Sequence, residues 1–138
     1  VALLANGSKE LQGLAFQYGK NLGIAFQLID DVLDFNSCQE VLGKPAAADL
    51  RLGLATGPVL FASEEFPEIT AFIMRRFKGE NDVEETHDLV RKSTGIERTM
   101  SLAKQHSREA TRQLMKLRHS PERDALVELT ANLLKREH

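Results

Sequence analysis

Four polar side chains with helical spacing are the candidate chemical groups of this sequence: Gln27, Asp30, Asp31 and Asp34. The surrounding segment, 18–35, contains no proline. At about 100° per residue, the four side chains fall within a helical sector roughly 100° wide. Three carboxylates this close together repel one another. They therefore belong either on a solvated surface or in a site where positive charge offsets them.

The residues around the four polar positions distinguish these two cases. Most of the remaining helix surface is apolar, and a helix that is apolar nearly all round is usually buried. Buried carboxylates must be paired, protonated or bound to a cation. Gly23 lies in the same sector and leaves room above it. The pattern favours a divalent cation site, and oxygen ligands without nearby His or Cys favour Mg²⁺ over zinc.

Protein-bound Mg²⁺ usually bridges one or two carboxylates to substrate phosphates. A magnesium site of this kind therefore implies a nearby positively charged side chain that binds the phosphate. Lys44 lies ten residues after Asp34, between Gly43 and Pro45. Glycine frees the backbone and proline fixes it, so Lys44 is predicted to lie in a defined loop. On its own Lys44 would be interpreted as a surface lysine. Beside the aspartates it is a candidate phosphate ligand.

The sequence around these residues resembles the trans-isoprenyl diphosphate synthases. The run DDVLD at 30–34 matches the second aspartate-rich motif of that family and follows its characteristic Phe26-Gln27 pair. Further similar stretches, which extend the resemblance over nearly the whole chain, are GKPAAADL (43–50), GLATGP (53–58), IMRRF (73–77), 93–103 and SPERDAL (120–126).

The resemblance implies an all-α fold, a helical bundle of the isoprenoid synthase type, with 1–138 as the C-terminal part of a polyprenyl synthetase domain. Family members are longer and carry a first aspartate-rich motif on an earlier helix, whereas this sequence has no second DDxxD. We therefore expect the chain to be inactive alone. Leu54 also stands where many bacterial relatives have lysine, which removes one possible cation near the diphosphate.

The activity implied by the resemblance is prenyl transfer. An allylic diphosphate loses its diphosphate, and the allylic cation alkylates isopentenyl diphosphate to build the long polyprenyl side chain of ubiquinone in mitochondria. The cofactor implied is Mg²⁺. The site residues implied are, by role, the metal ligands Asp30 (the most direct), Asp31 and Asp34; the catalytic residues Gln27 and Lys44; the diphosphate-binding residues Lys44, Gln27 and Asp49; and the active-site wall Phe26 and Gly23.

Two other classes of function are alternatives to an enzyme. The chain is then either a non-catalytic partner of a full-length synthase or a helical cation-binding or scaffold module. Retention of all three aspartates weakens the first alternative, and the match at Gln27 and Lys44 weakens the second. In either the enzyme or the partner interpretation, we expect a homo- or hetero-oligomer with another synthase subunit.

Composition is that of an ordinary helical domain. The chain has 138 residues, of which 42% are hydrophobic and 28% charged, within the usual range for one domain. A net charge of −2 does not indicate the basic surface that is typical of nucleic-acid-binding proteins. Apolar stretches are interrupted well before the roughly 18 residues of a membrane span. Cys38 is the only cysteine, which excludes an internal disulfide. Mitochondrial localisation is implied by the resemblance alone, since no targeting segment is visible.

Helix start and stop signals predict helices throughout and no strands. The expected elements are one or two helices over 3–35 with a break at 6–8, a helix from Pro58 to about Phe66, a helix over 68–77, a helix from Asn81 or Asp82 closed by Gly95, and a final helix that has Ser120 as its N-cap and runs to about Arg136. Between the last two, a 4-3 repeat predicts a long helix: Ile96, Met100, Ala103, Ser107, Ala110, Leu114 and Leu117. Such a repeat fits either a helix that packs within the bundle, which we expect here, or a free coiled coil.

Overall fold

The computed structural model describes residues 9–36 and 48–135, and in these ranges every regular element is a helix. The helices are α1 (Lys9–Asn36), α2 (Ala48–Arg51), α3 (Gly57–Glu65), α4 (Glu68–Met74), α5 (Asp82–Lys92), α6 (Gly95–Leu114) and α7 (Pro121–Leu133). The predicted all-α fold is confirmed. The break expected at 6–8, together with Cys38, lies outside the described residues. No helix among those described is both long and apolar enough to cross a membrane.

The helices form two compact units, one containing 9–27 and 102–135 and the other 28–101. The second unit has a hydrophobic core from α1 to α5: Phe35, Leu50, Val59, Ala62, Ile69, Phe72, Phe77 and Val90. Pro58 lies in the first turn of α3, and the backbone N–H of Phe66 closes that helix by donating to the carbonyl of Ala62. Both ends of α3 therefore agree with the sequence prediction.

The turn between α4 and α5 differs from the prediction. The helix ends at Met74, before the predicted Phe77, because Arg76 and Phe77 take left-handed φ angles of 55° and 59°. The buried carboxylate of Asp82 holds this turn by accepting from Nε and Nη2 of Arg75 (3.0 and 2.8 Å) and from the backbone N–H of Gly79 (2.8 Å). A Cβ on Gly79 would lie 2.7 Å from Oδ2 of Asp82, so this turn requires glycine there.

Gly95 has a different role from the predicted one. Helix α5 ends at Lys92, with Ser93 as its C-cap, and Gly95 is the first residue of α6. Gly95 is buried, and a Cβ there would collide with the carbonyl oxygen of Pro58. The glycine therefore allows α6 to begin against α3, and it does not terminate α5.

The predicted 4-3 repeat is the inner face of α6. Ala103, Ser107, Ala110 and Leu114 are all buried, so the prediction that this helix packs within the fold is confirmed. The helix ends at Leu114, and Leu117 follows it.

Polar contacts tie together the helices of the first unit. Nδ1 of His106 on α6 lies 2.8 Å from Oδ1 of the buried Asn21 on α1, and the hydroxyls of Tyr18 and Thr130 lie 3.1 Å apart. The predicted N-cap of α7 is confirmed, because Oγ of Ser120 accepts from the backbone N–H three residues later at 3.0 Å. Helix α7 ends at Leu133, before the predicted Arg136.

Candidate active site

The helical sector that carries Gln27, Asp30, Asp31 and Asp34, here called the aspartate sector, lies on α1, which is continuous from Lys9 to Asn36. Asp31 is buried, with 7% of its surface exposed, whereas Asp30 and Asp34 are half-buried. The spacing that sequence predicts is therefore realised on one helix. The three carboxylates do not share one environment, however.

The apolar side of α1 explains why this helix forms despite its carboxylates. Ile29, Val32 and Phe35 are buried with 0–1% exposure. Burial of such side chains contributes about 1.5–3 kcal/mol each, whereas like charges one helical turn apart cost about 0.2–0.5 kcal/mol per pair. Burial therefore outweighs repulsion and fixes which side of the helix carries the aspartates.

The wall and pocket residues predicted on α1 lie nearer solvent. Gln27 is exposed, as is Phe26, which has 43% of its surface accessible. Among the described residues, no atom lies within 4 Å of a Cβ built on Gly23. Within 9–36 and 48–135, space therefore remains above this glycine.

Asp34 links α1 to α2. Its Oδ1 accepts from the backbone N–H of Ala48 at 3.0 Å, and its Oδ2 accepts from the backbone N–H of Asp49 at 3.3 Å. Burial, and to a lesser extent the charge of Asp34, raises the pKa of the Asp49 carboxyl above its ordinary value. Asp49, a predicted diphosphate-site residue, is thus brought beside the acidic side of α1.

The other end of α2 is also fixed. The N–H of Leu54 donates to the carbonyl of Asp49 at 2.9 Å, across a turn in which Gly53 has φ +84°. Leu50 is 1% exposed and belongs to the core. This single helical turn therefore has its N-terminus, its C-terminus and its apolar side each held by a separate contact.

The aspartates of α1 are suitable ligands for a magnesium ion, but they form only part of a complete ligand set. The candidate ligands Asp30, Asp31 and Asp34 offer only carboxylate oxygens, the ligand type that Mg²⁺ prefers. Within 9–36 and 48–135, no group of three or more His, Cys, Asp or Glu side chains is placed to hold a metal ion. Lys44, the candidate phosphate ligand, lies outside the described residues. A magnesium ion here would therefore need further ligands besides these aspartates.

A polar side chain also packs against the apolar side of α1. The His87 ring stacks on Phe35 with centroids 5.6 Å apart. Its Nε2 is buried and has no hydrogen-bond partner among the described residues. His87 and Phe35 are far apart in sequence, so no local pattern indicates this stacking.

The sequence also matches a known protein family. Residues 1–92 match the polyprenyl synthetase family. The chain belongs to this family. The matched range contains every candidate site residue, including Lys44, and the resemblance given by the DDVLD motif is confirmed.

Named relatives agree with this assignment. The chain is 54% identical over 137 residues to the all-trans-polyprenyl-diphosphate synthase of Homo sapiens, covering 99% of this chain and 33% of the human protein. It is 44% identical to a probable mitochondrial hexaprenyl pyrophosphate synthase of Yarrowia lipolytica, covering 98% of this chain and 30% of that protein. The chain therefore spans about a third of the length of these relatives.

A solved structure supports the fold. The polyprenyl synthase from Caulobacter crescentus, complexed with calcium and isoprenyl diphosphate, superposes with a TM-score of 0.75 at 33% sequence identity. The match covers 95% of this chain and 42% of that one. The helices described above are therefore part of a larger all-α fold in that relative.

Proposed function

We propose that this chain is part of a trans-prenyltransferase that condenses an allylic diphosphate with isopentenyl diphosphate. The observation that carries the proposal is the aspartate sector of α1 in a chain of the polyprenyl synthetase family. One carboxylate of this sector is buried, and another accepts hydrogen bonds from the backbone of α2. Departure of diphosphate creates negative charge on the leaving group, and a site that offsets this charge lowers the barrier.

The aspartates hold the metal in this proposal. Asp30 is the most direct ligand, while Asp31 and Asp34 act directly or through waters. Mg²⁺, when bound, supplies the positive charge that stabilises the diphosphate leaving group. The relative from Caulobacter, which carries calcium together with isoprenyl diphosphate, supports a divalent cation at such a site.

The other predicted residues contact the organic substrate. Lys44 binds the diphosphate of the allylic substrate, with Gln27 near the reacting carbons and Asp49 holding water or Lys44. Phe26 shelters the allylic cation from water, because an apolar wall excludes the competing nucleophile. Gly23 leaves room for the substrate, which is supported by the space above it among the described residues.

The product is a long polyprenyl diphosphate for the ubiquinone side chain, made in mitochondria. The names of the human and Yarrowia relatives support a polyprenyl product, and the Yarrowia name supports the compartment. Since the chain spans about a third of these relatives, we propose that the remaining substrate contacts come from other parts of a synthase. These parts are either covalently joined or in an associated subunit.

The experiment fuses this chain to the part of the human synthase that the match does not cover. We call the resulting fusion protein the complemented synthase. Radiolabelled isopentenyl diphosphate should enter a long polyprenyl product with an allylic primer and Mg²⁺. EDTA should abolish incorporation, and excess Mg²⁺ should restore it. The chain alone should give none. A complemented synthase that folds and binds both substrates without transferring prenyl groups would contradict the proposal and favour a non-catalytic partner.

A further inference from the structure

The carboxylate of Asp34 is engaged by the backbone of α2 through both of its oxygens. Oδ1 accepts from Ala48 and Oδ2 from Asp49, at 3.0 and 3.3 Å. These are the first two residues of α2, whose N–H groups have no partner within the helix. Asp34 therefore serves as the cap of a helix that follows it in the chain.

Asp49 is fixed by both of its backbone polar groups. Its N–H donates to Asp34, and its carbonyl accepts from the N–H of Leu54 at 2.9 Å. A one-turn helix has almost no intrinsic stability, because nucleation costs more than the few internal hydrogen bonds return. Only external contacts can hold the Asp49 side chain at a defined position.

We infer that Asp34 is a positioning residue, which fixes α2 and through it sets Asp49 beside the aspartate sector of α1. The catalytic consequence rests on the proposed function, whereas the structural link does not. Each carboxylate oxygen has two acceptor positions, so a water-mediated role near the metal is compatible with this link. The inference separates Asp34 from Asp30, whose proposed role is to ligate the metal.

Hydrogen exchange tests the structural link without any need for catalysis. Exchange in the complemented synthase at low micromolar concentration is followed by mass spectrometry, with peptides that report Ala48 and Asp49. Asp34→Ala should speed exchange at these amides by about ten-fold or more, since hydrogen bonds to a charged acceptor are lost. Asp34→Asn keeps one acceptor oxygen and should fall between the wild type and Asp34→Ala. The control Asp88→Asn removes an exposed carboxylate from α5 and should leave these peptides unchanged.

Kinetics of the complemented synthase separate positioning from ligation. Asp34→Asn should lower kcat by about ten-fold while the Mg²⁺ concentration for half-maximal rate stays within about two-fold, because in this inference Asp34 reaches the metal only through water. Asp30→Asn should raise that Mg²⁺ concentration by about ten-fold or more.

Two results would overturn the inference. Unchanged exchange at Ala48 and Asp49 in Asp34→Ala would show that the carboxylate does not hold α2. A Mg²⁺ requirement raised as much by Asp34→Asn as by Asp30→Asn would make Asp34 a ligand. If the complemented synthase proved inactive, the proposed function would fail, while the exchange result would still decide the link.

Discussion

At the scale of single residues, the three aspartates of α1 differ in what offsets their charge. Asp31 is 7% exposed, and a carboxylate that deeply buried needs compensation from hydrogen bonds or positive charge. Asp34 receives part of this compensation from two backbone N–H groups. Three identical side chains on one helix therefore lie in different environments, which are set by their depth and by the neighbouring backbone.

Lys44 gives the first prediction. In the complemented synthase, Lys44→Ala should reduce turnover by roughly ten- to a hundred-fold, because it removes one of several cations around the diphosphate. Lys92→Ala, which removes an exposed lysine at the end of α5, is the control and should keep the wild-type rate. Steady-state incorporation of labelled isopentenyl diphosphate measures both. Equal rates for the two variants would remove Lys44 from the site.

His87 gives a stability prediction. Because Nε2 of His87 is buried without a partner among the described residues, His87→Phe should remove a desolvation cost and keep the stacking on Phe35. We expect the free energy of unfolding to rise by about 1 kcal/mol, seen as a higher urea midpoint, with turnover within about two-fold of wild type. His119→Phe, at an exposed position, should give no such gain. A lower midpoint for His87→Phe would mean that the imidazole nitrogen has a stabilising partner.

Among the secondary-structure elements, the α4–α5 turn depends on one ion pair, in which the Asp82 carboxylate is buried and Arg75 is half-exposed. Hydrogen bonds from Arg75, and secondarily from the backbone of Gly79, lower the pKa of the Asp82 carboxyl. A carboxyl whose pKa is lower in the folded than in the unfolded state stabilises the fold fully above the unfolded pKa, near 4. That stabilisation is lost as the pH falls through the lower, folded-state pKa.

Asp82→Asn should therefore unfold at a lower urea concentration than the wild type at pH 7. The two midpoints should converge as the pH falls below about 4, because the wild-type carboxylate then becomes protonated. Circular dichroism at a series of pH values measures this in the complemented synthase. Asp88→Asn, on the exposed side of the same helix, should follow the wild type at every pH. A constant gap between Asp82→Asn and wild type would show that the ionised carboxylate is not what stabilises the turn.

A helix boundary can be predicted from the sequence when the contact that fixes it lies within about one turn of the boundary. The starts of α3 and α7 follow from Pro58 and from Ser120 as N-cap, signals within one turn of each helix. The end of α4 depends on Asp82, beyond the helix, and Gly95 is required by its approach to Pro58. Helical period alone predicts the aspartate sector. The link from Asp34 to α2 crosses 14 and 15 residues of chain, so no local pattern could reveal it.

Across the part of the molecule that the structure describes, several large apolar side chains are exposed. In the first unit, Phe16 and Leu129 are 66% and 58% exposed. An apolar groove of about 400 Å³ runs beside α7, lined by Leu22, Phe26, Leu129, Asn132 and Leu133. Uncovered apolar surface of this kind marks an interaction site or an aggregation liability.

The isolated chain should therefore aggregate, or persist only in association with another subunit. Sedimentation velocity over a range of concentrations measures this, and the complemented synthase is the control, which should show less concentration-dependent self-association. The chain spans about a third of its human relative, which supports the expectation that another part of a synthase covers these surfaces. A monomer with a sharp, concentration-independent two-state melt would contradict it.

Two aspartate variants of the complemented synthase test whether the aspartate sector of α1 is the metal site. Asp30→Ala removes the proposed metal ligand, whereas Asp88→Ala removes an exposed carboxylate from α5. Magnesium-dependent prenyl transfer should fall by about a hundred-fold or more in Asp30→Ala, since a lost metal position removes several kcal/mol of leaving-group stabilisation. It should stay within about two-fold of wild type in Asp88→Ala. An intact rate in Asp30→Ala, in a folded protein that still transfers prenyl groups, would show that the aspartate sector of α1 is not the metal site.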